Sequence, residues 1–240
     1  FTSVGFGGSP SAGEMQRRVR ETFPNLKATT NAYGLTESSS VATTLSGDDA
    51  LRKPDSVGQP VPTVDVAIAA PDGSHLGSGE TGEVLLRGPI IMAGYWNKPE
   101  ATASTIIDGW LHTGDVGHLD DEGYLYITDR AKDMLIRGGE NVYCVEIENR
   151  LVEHPDIADA AVIGVPHDSL GEEVKAVIEV VDGSDPSDAE IRQWVAQTLA
   201  SYKVPTQIQR WDTKLPRNAS GKLLKNVLRG EGHVSFAETM

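Results

Sequence analysis

The sequence predicts a mixed chain of the α+β or α/β kind, a β-rich first part followed by a small compact α+β domain. Three observations predict it. Short strand-like runs are separated by turn residues through the first 128 positions. Two Ser-x-x-Glu capping boxes each precede apolar residues at helical spacing. The texture also changes after Arg130, where strands and helices begin to alternate within a short compass.

The first capping box, Ser11 with Glu14, leads into Met15, Val19 and Phe23, and Pro24 closes a helix expected over about residues 12 to 23. Val64 to Ala69 and Glu83 to Arg87 are β-rich runs divided by Pro71, Asp72, Gly73 and a Gly-Ser-Gly stretch, a hairpin pattern, and Tyr124 to Thr128 adds a strand. Met134 to Arg137 is strand-like and runs into Gly138 and Gly139. A helix is expected from about Val145 to Glu153, and strands at Ala160 to Val165 and Val174 to Val181. The second box, Ser187 with Glu190, opens a helix whose one face carries Ile191, Trp194, Val195, Thr198, Leu199 and Tyr202; these aromatics read as core rather than as ligand contacts. Gln207 to Trp211 is expected as a last strand and Lys222 to Leu228 as a terminal helix. A domain boundary falls near Asp129 to Lys132, which gives domains of residues 1–129 and 130–240.

Composition narrows the functions. The net charge of −14 argues against a nucleic-acid or anionic-membrane surface. No run of about 18 apolar residues is present and residues 1–10 lack a signal-peptide layout, so no transmembrane segment and a cytoplasmic location are expected. The single cysteine, Cys144, forms no internal disulfide and reads as a small buried apolar residue, and the six histidines never fall at metal-ligand spacing. Charge is unevenly spread: Glu153 to Glu190 holds eleven acids and one base, whereas Tyr202 to Arg229 holds seven bases and one acid. A local basic strip in an acidic chain suits a small polyphosphate or is simply a solvated face.

Four stretches carry chemistry. Gly7, Gly8, Ser9 and Pro10 precede the first helix and let a planar ligand approach the backbone, although a plain turn explains them equally. Asn31 to Glu37 (NAYGLTE) offers an aromatic ring, a hydroxyl for phosphate and a carboxylate for Mg²⁺, and in isolation reads as any loop. Trp110 to Asp115 (WLHTGD) places a carboxylate that accepts ribose hydroxyls or serves as a turn aspartate. The fourth runs from Tyr124 to Glu148 and has its sequel at Pro216 to Lys222 (PRNASGK), where Gly221 precedes a lysine able to deliver a point charge to phosphate.

Taken together, these stretches resemble the adenylate-forming superfamily of acyl-CoA synthetases, peptide-synthetase adenylation domains and beetle luciferases. The Tyr-Gly-x-Thr-Glu signature stands at Tyr33 to Glu37, Thr-Gly-Asp at Thr113 to Asp115, Asp-Arg-x-Lys-Asp at Asp129 to Asp133 and Gly-Lys at Gly221 and Lys222. Arg137 to Val142 (RGGENV) looks most like CoA ligases, so the resemblance implies an ATP-dependent acyl-CoA ligase that uses ATP, Mg²⁺ and coenzyme A on a carboxylic acid, with a fatty acid the first expectation. An acyl-AMP ligase or adenylation domain delivering to a carrier protein, and a non-enzymatic ligase-like module, are the alternatives.

By the same resemblance, Glu37 holds Mg²⁺ and Thr36 contacts phosphate. Gly8, Ser9, Asn31, Tyr33 and Gly34 border the nucleotide and acyl site, Asp115 chelates the ribose with support from Arg130, and Lys222 reaches the acyl carboxylate and α-phosphate. Lys132 is the hinge of a rotating small domain, and Gly138 and Gly139 line the coenzyme A tunnel. The resemblance further makes residues 1–129 the end of a large amino-terminal domain. The family's Ser/Thr/Gly-rich phosphate loop is absent from these 240 residues, and the chain opens on Phe1. A missing amino-terminal portion, and no turnover by the chain alone, are therefore expected.

Overall fold

A computed structural model describes residues 1–7, 13–218 and 221–230, the side chains of 13–16 excepted. The chain divides into two compact units, Phe1–Ala131 and Lys132–Met240. The mixed, sheet-rich architecture agrees with the class read from the sequence.

The first unit opens with β1 (Ser3–Gly7), α1 (Gly13–Thr22), β2 (Ala28–Leu35) and β3 (Ser40–Leu45), then α2 (Asp49–Arg52) and a two-residue β4 (Gln59–Pro60). β1 and β2 pair in parallel across the α1 crossover, and β3 and β4 add antiparallel. The second sheet holds β5 (Asp65–Ala69), β6 (Gly82–Arg87), β7 (Ile106–Ile107), β8 (Trp110–Leu119) and β9 (Leu125–Arg130), with α3 (Pro99–Thr105) leading into β7. Ala42, Val64, Ile68, Val84, Leu86, Leu111 and Leu125 form one buried cluster drawn from both sheets. α1 is fastened by a polar anchor: the Arg20 guanidinium donates to Thr29 Oγ1 at 2.6 Å and to the Ala50 carbonyl at 3.0 Å. The Ser11 capping box expected before α1 lies outside the described residues.

The second unit comprises β10 (Leu135–Arg137), β11 (Glu140–Val142), α4 (Cys144–Val152), β12 (Ile157–His167), β13 (Gly171–Val180), α5 (Asp188–Ala196), β14 (Gln207–Arg210) and α6 (Lys225–Leu228). β12 and β13 form a long antiparallel pair, with β14 parallel to β13 on its other edge. At their centres, Ala160–Val165 and Ala176–Ile178, the apolar runs are continuous because both faces are covered. Ala160, Val162, Val174, Ala176 and Ile178 pack with Ile147 and Leu151 of α4 and Ile191 and Val195 of α5. Ala161, Ile163 and Val177 pack on the other face with Leu215, Leu223 and Leu228. The Ser187 box is formed, with Glu190 N–H donating to Ser187 Oγ and Ser187 N–H to Glu190 Oε2 at 2.8 Å.

Several boundaries differ from expectation for physical reasons. α5 ends at Ala196 and the chain continues through a 3₁₀ turn at Ser201–Lys203, so Leu199 and Tyr202 reach the core from a turn, while Thr198 is exposed. Trp194 is half-buried: its indole N–H donates to the Arg150 carbonyl at 2.9 Å, and the Arg150 guanidinium lies 3.9 Å over its ring. The terminal helix begins at Lys225 because Lys222 and Leu223 are used in a hairpin, with Arg217 bridged to Leu223.

Candidate active site

Asp115 is buried, 4% exposed, in the middle of β8. A strand is an unusual place for Gly-Asp, and the pairing explains it. Glu83 of β6 opposes Val116 and Leu85 opposes His112, so Thr113, Gly114 and Asp115 together face the single residue Val84. This bulge turns Asp115 out of the regular ladder. Gly114 takes the left-handed conformation it requires, φ 69°. Thr113 Oγ1 donates to the Val84 carbonyl at 2.7 Å and accepts from Asp115 N–H at 3.1 Å.

Both carboxylate oxygens of Asp115 have partners. The Tyr33 phenol donates to Oδ2 at 2.7 Å, and Arg130 Nε lies 3.3 Å from Oδ1. Arg130 reaches it because Asp115 and Arg130 are directly paired across β8 and β9. Burial, the negative charge of Asp115 and the hydrogen bond to it hold the Tyr33 phenol far above its ordinary pKa, in that order of importance. Tyr33 is therefore a neutral donor, and Asp115 a buried anion compensated from two sides.

Glu37 and Thr36 sit on a tight 3₁₀ turn at Thr36–Ser38 that directly follows β2. The chain doubles back so closely that a Cβ on Gly34 would lie 1.8 Å from the Ser40 carbonyl oxygen. The turn is sewn by the fully buried Ser38, whose hydroxyl accepts from Leu35 N–H at 2.9 Å and lies 3.1 Å from the carbonyl oxygens of Leu35 and Ser40. Thr36 is exposed, while Glu37 is half-buried and accepts from the Tyr95 phenol at 2.8 Å. That hydrogen bond is the main cause of a raised Tyr95 pKa. Asn31 lies on the same strand, but its side-chain amide donates to the Ser56 carbonyl at 3.0 Å, a buried tether between two stretches of backbone. Gly8 and Ser9 lie outside the described residues.

Among residues expected in the site, the first unit thus brings Tyr33, Asp115 and Arg130 into contact and presents Thr36 and Glu37 on one turn, with Gly34 near the end of the strand that leads into it. Sequence reasoning missed Ser38, Tyr95 and Glu83, and it held His112 only as a member of the Trp110 to Asp115 stretch, with no role of its own.

The other expected residues belong to the second unit. Lys132 is exposed at its start. Gly138 and Gly139 form a two-residue hairpin loop between β10 and β11 with φ 61° and 90°, the left-handed pair that a type I′ turn demands. Lys222 follows Gly221, φ 83°, in a turn closed by Asn218: Lys222 N–H donates to Asn218 Oδ1 at 2.9 Å and Asn218 N–H to the Lys222 carbonyl at 2.9 Å. Arg217 ties this turn to β12, donating to the Gly221 carbonyl and to Asp159 Oδ2, each at 2.7 Å. The Lys222 ammonium forms no ion pair among the described residues, whereas Lys203 and Lys225 are paired with Glu146 and Glu148.

Comparison with known proteins bears on this geometry. Residues 1–96 match the AMP-binding enzyme family model, and residues 146–222 match the model of the AMP-binding enzyme C-terminal domain. The chain belongs to the AMP-binding enzyme family. Among its relatives, a feruloyl-CoA synthase of Amycolatopsis sp. is 41% identical over 223 residues, 93% of this chain and 45% of that protein. A long-chain-fatty-acid–CoA ligase of Mycobacterium tuberculosis is 46% identical over 197 residues, 82% of this chain and 39% of that ligase. The solved structure of o-succinylbenzoate CoA synthetase from Bacillus subtilis, in complex with its acyl-adenylate intermediate, superposes with a TM-score of 0.85 at 36% identity over 95% of this chain and 46% of that one. The chain thus spans less than half the length of these relatives. Among its described residues, no helix is long and apolar enough to cross a membrane.

Proposed function

We propose that this chain serves an ATP-dependent acid–thiol ligase, which activates a carboxylic acid as acyl-AMP with release of pyrophosphate and then forms the acyl-CoA thioester. The observation that carries the reading is Asp115, a buried carboxylate held in place by Tyr33 and Arg130 within a chain of the AMP-binding family. In this reading Asp115 accepts the ribose hydroxyls of ATP, Arg130 steadies it and Thr36 offers its hydroxyl to phosphate.

Glu37 holds Mg²⁺. The donor set fits that ion, since Mg²⁺ takes one or two carboxylates and completes its shell with water and phosphate. No group of three His, Cys, Asp or Glu side chains able to cage a metal exists among the described residues. When bound, Mg²⁺ neutralises polyphosphate charge. Lys222 supplies a cation to the acyl carboxylate and α-phosphate as one anion attacks another. Lys132 acts as the swivel between the two half-reactions, and Gly138 and Gly139 accommodate the pantetheine arm of coenzyme A.

A medium- or long-chain fatty acid is the proposed substrate, supported by the 46% identity to a fatty-acid ligase. The 240 residues alone do not turn over, because they contain no Ser/Thr/Gly-rich phosphate loop. The test is a paired assay on the full-length protein that carries this chain: pyrophosphate release with each of a panel of acids, then acyl transfer offered to coenzyme A or to an acyl carrier protein. Fatty-acid-dependent acyl-CoA formation is expected. Transfer to the carrier protein alone would replace the CoA ligase with an acyl-AMP ligase, and absence of pyrophosphate release with every acid would sink the enzymatic reading.

A further inference from the structure

Glu83 has no part in the reaction as described, yet its carboxylate touches Gly114 and His112, one and three positions ahead of Asp115. Oε1 accepts the Gly114 N–H at 3.0 Å, and Oε2 lies 2.8 Å from His112 Nδ1. The bulge makes these contacts necessary. Three residues facing one cannot all pair in the ladder, so a half-buried N–H such as that of Gly114 needs an acceptor from elsewhere. A left-handed glycine between two bulged residues also leaves the backbone soft, and a carboxylate that grips both the peptide and the neighbouring imidazole removes that freedom.

We propose that Glu83 is a positioning residue for nucleotide binding: by clamping the Gly114 peptide it fixes the bulge, and so the direction in which Asp115 presents its oxygens to the ribose of ATP. The inference rests on the reading of Asp115 as ribose acceptor. Glu83 itself touches no substrate. Its effect is therefore specific to the ribose, unlike that of a side chain that merely stabilises the sheet.

The experiment measures KM for ATP, for 2′-deoxy-ATP and for the acid, in the full-length ligase and its variants. Glu83→Ala is expected to raise KM for ATP about ten- to thirtyfold, to shrink the preference for ATP over 2′-deoxy-ATP to within about twofold, and to leave KM for the acid within about twofold. Glu83→Gln keeps a carbonyl oxygen for the Gly114 N–H and is expected to stay within about threefold of the parent on every measure. Should the alanine variant not fold, Glu83→Asp, one methylene short of spanning both donors, carries the same test with a smaller erosion. A parent enzyme with no preference for ATP over 2′-deoxy-ATP would overturn the ribose reading and this proposal with it. A parent that discriminates, with an alanine or aspartate variant that discriminates equally well, would overturn the role of Glu83 alone. Equal losses toward ATP and acid, or a glutamine variant as impaired as alanine, would likewise reduce Glu83 to a structural side chain.

Discussion

Asp115 and Lys222 carry opposite charges and are held in opposite ways. Asp115 lies in the interior of a sheet, with a phenol and a guanidinium on its two oxygens and its backbone braced by Thr113 and Glu83. Lys222 stands on a turn whose backbone is closed by Asn218 and moored by Arg217, while its ammonium has no ionic partner among the described residues. In the proposed reading, the contrast reflects different demands on the two charges. A group that would bind one substrate in one pose gains from being fixed in advance. A cation that would serve one half-reaction and be absent from the next gains from a firm pivot and an uncommitted tip.

The largest expected effect probes that tip. Lys222→Ala should slow adenylation by about two to three orders of magnitude, the range found for other preorganised donors to a developing charge. Transfer from preformed acyl-AMP to coenzyme A should be changed far less. Full-rate adenylation in a pyrophosphate-exchange assay would break the comparison at its root. Lys132→Pro should do the reverse more gently, slowing thioester formation about tenfold with adenylation within about twofold. Equal loss in both half-reactions would remove Lys132 from the swivel.

Two glycines sharpen the same contrast in stability. Gly34 is locked by contact, since an added methyl meets the Ser40 carbonyl at 1.8 Å. Gly34→Ala is expected to cost about 2–3 kcal/mol in denaturant unfolding, in line with overpacking of rigid backbone. Gly139 needs only its positive φ: a Cβ there meets nothing within 4 Å. Gly139→Ala should cost about 1–2 kcal/mol, the penalty for a left-handed L-residue. A larger loss at Gly139 than at Gly34 would mean that the β10–β11 turn is as tightly packed as the Thr36–Ser38 turn.

How much of this was legible in the sequence follows from the same packing. β12 and β13 announced themselves because both their faces are buried at their centres, where Ala160–Val165 and Ala176–Ile178 are apolar without a break. α5 was visible from its start because a capping box is a local signal. β2 and β3 were not, because Ala-Thr-Thr-Asn and Ser-Val-Ala-Thr-Thr carry little apolar alternation; their hydroxyls and amides instead bond to neighbouring backbone, as Thr43 does to the Val57 carbonyl at 2.7 Å. In the site, Tyr33, Glu37 and Asp115 stood out by their motif spacing. Glu83 and Tyr95 did not, since each meets its partner across a long sequence gap: 31 residues to Gly114 for Glu83 and 58 to Glu37 for Tyr95. A bulge is likewise invisible to periodicity, because a reading of β8 by alternation assigns Asp115 no special direction.

The smallest effect concerns the phenol that faces Asp115. Tyr33 keeps its proton in the folded chain at pH values where an unfolded tyrosine, with a pKa of about 10, has lost it. The folded state then binds more protons than the unfolded state. The stability Tyr33 contributes is fully present below about pH 10 and falls as pH rises, by at most about 1.4 kcal/mol per pH unit for one group. Tyr95, Tyr124 and Tyr126 are also raised, so the parent should lose stability in alkali more steeply than Tyr33 alone dictates. Tyr33→Phe removes one proton from that slope. At pH 8 the variant should be less stable by about 1–3 kcal/mol, because the buried Asp115 loses a hydrogen bond. By pH 11 the gap between variant and parent should narrow. Urea unfolding at pH 8, 10 and 11 reads both effects, and parallel stability curves for the two proteins would mean that the Tyr33 phenol ionises as freely in the fold as out of it.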